Sequence, residues 1–64
     1  MKRTHLMRHL HAHGCVVLRD KGKHTVMHNP VNQKQSVVPR HSEINPFTAR
    51  GICKQLEVPF PDER

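Results

Sequence analysis

Apolar side chains recur along this chain in two rhythms. Between Lys2 and His13 there is no Gly or Pro, and Leu6, Met7 and Leu10 fall at i, i+1 and i+4. That spacing is a narrow stripe on one face of a helix. Thr4 fits its N-cap and Gly14 the residue just past its end. His11 and His13, when protonated, suit the negative end of the helix dipole. After Gly14 the period changes. Cys15 to Arg19 is apolar and β-branched, and Asp20-Lys21-Gly22-Lys23 reads as a tight turn. His24 to His28 predicts a second strand, Asn29-Pro30-Val31-Asn32 a second turn, and Gln35 to Pro39 a third strand. Pro39 ends that strand because it has no N–H for the ladder.

A second helix is marked more strongly. Asn45 fits an N-cap and Pro46 the first helical position, where a missing N–H costs nothing. Ala49, Ile52, Cys53 and Leu56 then recur at i, i+3, i+4 and i+7, a single buried stripe. Ile44, ahead of the cap, can staple onto Ala49. Gly51 weakens the middle of this helix by about 1 kcal/mol relative to Ala. Val58-Pro59-Phe60-Pro61 cannot continue it, which makes residues 1–58 the domain and 59–64 a flexible tail. The predicted order is α-β-β-β-α: an α+β fold whose three-stranded antiparallel sheet has both helices on one face and solvent on the other.

Composition narrows the function. At 64 residues and 7.4 kDa there is one small core, with no Trp or Tyr and only Phe47 and Phe60 as aromatics. A chain of this size buries about 60 % of its unfolded surface, which leaves no room to enclose a cofactor or a large substrate. No apolar run reaches the roughly 18 residues of a membrane span. The start of the chain lacks the apolar segment of a secretory signal, so a cytoplasmic location is expected. Eleven Lys and Arg oppose five acids, a net charge of +6. Three of those acids, Glu57, Asp62 and Glu63, lie near the end; up to Leu56, ten bases face only Asp20 and Glu43. Such an excess suits a polyanion, and nucleic acid is the usual one.

Cys15 and Cys53 sit in apolar stretches with no C-x-x-C spacing, so they read as buried small hydrophobes. Seven histidines admit three readings. His5, His9 and His13 share a helical face at i, i+4 and i+8, a metal-chelating spacing that lacks a fourth ligand and an acidic second partner. Solvated histidines on a basic helix are the simpler reading. His24 is the second case: it follows Lys21-Gly22-Lys23, with Arg19 on the preceding strand. An imidazole flanked by phosphate-binding cations can move a proton at neutral pH. RNA carries its own nucleophile, the 2′-OH, beside the scissile phosphate, so cleavage there needs no metal or other cofactor. It needs a base, a proton donor for the departing 5′-oxygen, and cations around the phosphorane. In the third reading His24 only contacts phosphate in a binding module.

Gly14-Cys15-x3-Arg19-x2-Gly22-Lys23-His24 resembles the Gly-aromatic-x3-Arg-x2-Gly-Ser-His stretch of the HicA toxins of bacterial toxin–antitoxin pairs. Val38-Pro39, Ile44, Thr48, Ile52 and Lys54 fall where that family's second half has them, and Leu6 and Leu10 fit its first helix. The resemblance spans roughly residues 2 to 58. It implies a double-stranded-RNA-binding-domain-like fold and a metal-independent mRNA endoribonuclease (mRNA interferase) that inhibits translation and growth. It also implies a HicB-type antitoxin as partner and His24 as the catalytic residue. Arg19, Lys21 and Lys23 would hold RNA phosphates.

The chain departs from the family pattern at three positions. Cys15 stands where an aromatic is usual, Lys23 where Ser is common, and Thr25 where a second histidine often follows the first. The second proton-transfer role then falls to His28, on the same strand face as His24, or to His41, just beyond the third strand. A catalytically inactive RNA-binding protein is the alternative function. A histidine-based metal-storage protein is a third class, separable by tight stoichiometric Zn²⁺ binding.

Overall fold

Helix α1 (Arg3–Ala12) begins two residues before the His5 start that a Thr4 cap predicts. A computed structural model describes residues 1–61 of the chain, and in it the N-cap is Lys2, with no side-chain cap bond. Backbone pairing takes the place of a cap. The Met1 carbonyl accepts the Ile44 N–H at 2.8 Å, Lys2 bridges Glu43, and the Arg3 N–H donates to the Ser42 carbonyl at 2.9 Å. A first-turn N–H that already has a backbone acceptor needs no capping side chain. The far end behaves as predicted. Gly14 takes φ +89°, the Gly14 N–H donates to the His11 carbonyl and the Cys15 N–H to that of Leu10. This is a Schellman closure, and its apolar pair, Leu10 and Cys15, is fully buried.

Three strands follow in antiparallel order β1-β2-β3: β1 (Val16–Lys21), β2 (His24–Asn29) and β3 (Lys34–Pro39). The first turn is tighter than the four-residue reading of the sequence. Lys21 pairs directly with His24, leaving Gly22-Lys23 as a two-residue loop. Gly22 has φ +63° and Lys23 does not share that sign, the pattern of a type II′ turn matched to strand twist. Leu18 is the extra residue of a bulge between Val17 and Arg19. The second turn holds itself with side chains: Asn29 Oδ1 accepts the Val31 N–H and Asn32 Oδ1 the Lys34 N–H.

Helix α2 (Pro46–Leu56) has the predicted cap, with Asn45 Oδ1 accepting the Phe47 N–H at 2.8 Å. Its stripe of Ala49, Ile52, Cys53 and Leu56 is buried throughout. It ends on Glu57 at φ +57°, where the Val58 N–H reaches back to the Cys53 carbonyl at 2.9 Å. The buried Asn29 amide donates to the Leu56 carbonyl at 2.8 Å, satisfying one of the helix's last acceptors. Both helices cover one side of the sheet. Leu6, Leu10, Met27, Val38 and Ile44 meet the α2 stripe there in a single core. Past α2, the His9 ring donates to the Pro59 carbonyl, Arg50 lies 4.6 Å from the centre of the Phe60 ring, and Pro61 is buried. The rest of the expected tail, 62–64, lies outside the described residues.

Candidate active site

Strict alternation along β2 decides which side chains face outward. Thr25, Met27 and Asn29 are buried against the helices, while His24, Val26 and His28 lie on the uncovered face. Register carries the same assignment to the neighbouring strands. Lys21 stands opposite His24 and Arg19 opposite Val26 on β1; Pro39 stands opposite His24 and Val37 opposite Val26 on β3. Directly paired residues share a face. His24, Lys21 and Arg19 are therefore together on the open side, and Lys23 is in the turn beside them. All four are exposed. None of their side chains has a hydrogen bond or ion pair among the described residues.

The fold directs further positive potential to this end. The Arg40 N–H extends the β3 ladder by donating to the Lys23 carbonyl at 3.1 Å, and the chain then runs through 41–45 straight into α2. The start of α1 pairs with that same segment at Ser42, Glu43 and Ile44. Both helix N-termini thus lie at the hairpin end of the sheet, and neither first turn carries an acid. The aligned peptide dipoles leave partial positive charge at these termini, offset at α1 by the Glu43 carboxylate 3.3 Å from the Met1 ammonium.

The two candidates for a second acid or base are separated by position. His28 shares the open face with His24 but lies four residues along the strand, about 13 Å away at roughly 3.3 Å per residue. One phosphate cannot bridge them. Its Nδ1 is buried and has no partner among the described residues. His41 is exposed and follows Arg40, so it sits at the hairpin end with His24. Position 25 points away from both: Thr25 is 1 % exposed, on the helix side.

Thr25 also belongs to a feature that sequence reading does not find. Arg3 Nη2 donates to Thr25 Oγ1 at 2.8 Å and Arg3 Nε to the Pro39 carbonyl at 3.0 Å. Thr25 Oγ1 donates to Asp20 Oδ1 at 3.0 Å, and Arg40 Nη1 donates to the same oxygen at 2.8 Å. In sequence, Arg3 is one cation among several on a basic helix and Asp20 a turn former. Partners 22 and 36 positions apart leave no local signal.

His9 and His13 also meet each other at the end of α1. The His9 and His13 rings lie 4.4 Å apart, and His13 Nδ1 donates to the His9 carbonyl. Among the described residues, no group of three or more His, Cys, Asp or Glu side chains is placed to hold a metal ion. Cys15 and Cys53 are free and buried, and burial pushes both thiols above their ordinary pKa. Among the described residues, no helix is long and apolar enough to cross a membrane.

Comparison with known proteins adds one finding. The family described as HicA toxin of bacterial toxin-antitoxin matches residues 4–58. No curated protein and no solved structure matches the chain. The matched span runs from the first turn of α1 to the residue that closes α2, so it contains the sheet, the hairpin and His24. The chain belongs to the HicA toxin family, the toxin half of a toxin–antitoxin pair, and its partner is an antitoxin.

Proposed function

We propose that this toxin is a metal-independent mRNA endoribonuclease of the cytoplasm, with His24 as its catalytic acid or base, restrained by a HicB-type antitoxin. The observation that carries the reading is the setting of His24. It is exposed and unpartnered among the described residues, on the open face across from Lys21 and at the end to which both helix N-termini point. The cleavage follows from RNA chemistry. A base removes the proton of a 2′-OH, and that oxygen attacks the adjacent phosphorus. The P–O5′ bond breaks, the 5′-oxygen takes up a proton, and a 2′,3′-cyclic phosphate is left. Arg19, Lys21 and Lys23 offset the added charge of the phosphorane. His24 fits the first proton transfer or the second, and exposed His41, at the same end, is the residue to supply the other.

The test is cleavage of single-stranded RNA by purified protein in excess EDTA, with chemical identification of the new ends. Cyclic 2′,3′-phosphate or 3′-phosphate ends support the reading. Strict dependence on Mg²⁺ or Zn²⁺, or 3′-hydroxyl ends, would sink it.

A further inference from the structure

We infer that Arg3 is a positioning residue for the reaction, holding the His24 hairpin through Thr25 and Asp20 from the side of the sheet opposite the imidazole. The inference rests on the functional reading above for its kinetic arm alone.

The need for such a tether is visible in the strands. His24 opens β2 immediately after a two-residue turn, and all six residues of β1, its partner, are exposed. Two strands joined by a tight turn are marginal in water unless something packs against them. The core of apolar side chains on β2 and β3 reaches only to Met27 and Val38. At the His24 rung a polar network takes over. Pro39 is the β3 partner of His24 and Thr25 is its chain neighbour, and Arg3 donates to both. One planar guanidinium thus grips β2 and β3 at the level of the imidazole.

The hydroxyl of Thr25 has its direction fixed by chemistry. Arg3 can only donate, so Thr25 accepts there and must send its own proton to Asp20. Asp20 is the β1 partner of Thr25, which ties in the third strand. Its carboxylate also receives Arg40, whose own N–H closes on the Lys23 carbonyl inside the turn. The path Arg3–Thr25–Asp20–Arg40 therefore crosses the hairpin on the face opposite the imidazole, and each link is a hydrogen bond with one possible sense. Thr25 is buried, so removing its hydroxyl leaves Arg3 without an acceptor that solvent cannot readily replace.

Four variants test this: Thr25→Val, which keeps the core volume and deletes the hydroxyl; Thr25→Ser, which restores it; Arg3→Lys, which keeps the charge and loses the fork; and Asp20→Ala, at an exposed position whose loss leaves the core untouched. RNA-cleavage kcat and KM are measured well below each melting temperature, beside amide hydrogen exchange. The expected result is a kcat loss on the order of 10²-fold for Thr25→Val and Arg3→Lys, the penalty of a misplaced catalytic group. KM should stay within about twofold, since the phosphate-binding cations are elsewhere. Thr25→Ser should recover most of the rate. Exchange at the Arg40 N–H should quicken about tenfold or more while that at Ile52 does not change. If Thr25→Val fails to fold, Asp20→Ala carries the same expectation. Unchanged kcat and unchanged Arg40 exchange overturn the inference, as does exchange that quickens equally everywhere, the sign of general destabilisation. A wild-type protein inert toward RNA defeats the functional reading instead, and the exchange arm then decides the tether by itself.

Discussion

His24 and Thr25 are neighbours in the chain and face opposite sides of the sheet: the imidazole stands in solvent while the threonine is 1 % exposed. The proposed chemistry and its proposed support are thereby separated across one strand. A change at position 24 opens no cavity and breaks no bond among the described residues, whereas a change at 25 disturbs Arg3 and Asp20 together. A histidine at position 25 would remove the hydroxyl that accepts from Arg3 and donates to Asp20.

RNA affinity should fall with salt. Arg19, Lys21 and Lys23 make three phosphate contacts possible, and each contributes about −0.7 to the slope of log K against log salt for a single strand, or about −2 together. Lys21→Ala or Lys23→Ala should reduce the slope by about 0.7 and weaken unrelated sequences alike. Filter-binding titrations over a range of salt check this, and a flat dependence would assign the basic face to another ligand.

The buried stripe of α2 should dominate stability. Ile52 is 3 % exposed and Leu56 is fully buried, so either one changed to Ala should cost about 2–5 kcal/mol. For a domain this small that is a large share of the total. Urea denaturation measures it, and parental midpoints for both variants would mean that the helix packs in another register.

Two positions should gain from substitution. A Cβ at Gly51 would meet nothing within 4 Å, so Gly51→Ala should stabilise α2 by about 0.5–1 kcal/mol. Glu57 holds φ +57° at the helix end, where glycine carries no penalty, and Glu57→Gly should gain about 1 kcal/mol. Melting temperatures several degrees above the parent are expected for each; a lower value for Glu57→Gly would show that its side chain has an unrecognised partner.

The cysteines should be silent in the folded state. Burial raises both thiols, so iodoacetamide at mild pH should label Cys15 and Cys53 only after unfolding. The same shift predicts alkaline weakening. The folded thiols hold their protons more tightly than the unfolded ones. Stability is therefore full below the unfolded value of about 8.5 and declines as pH rises through the folded value. Rapid labelling of native protein would contradict the packing described.

Much of this architecture was legible in the sequence because its signals are local. The α2 cap, Pro46 and the four-residue stripe lie within a dozen positions, and period-two alternation puts His24 and His28 on one strand face. The misses have a common cause. Thr4 is not the cap of α1 because the Ser42 carbonyl, distant in sequence, already accepts the Arg3 N–H. The first turn is two residues rather than four because pairing runs on to Lys21 and His24. The support beneath the site needed Arg3, Asp20, Thr25 and Arg40 from four separate segments, and no spacing rule connects them. The nearness of His41 to the hairpin end likewise depends on a backbone bond from Arg40 to the Lys23 carbonyl.

The central claim is that one exposed imidazole carries the toxicity, and expression of His24→Ala in a bacterium tests it most directly. Loss of an exposed side chain should change stability by no more than about 0.5 kcal/mol. Loss of a general acid or base should slow cleavage about 10²–10⁴-fold. The account predicts a folded protein that still binds its antitoxin and no longer arrests growth. A folded His24→Ala protein that arrests growth as the parent does would contradict it.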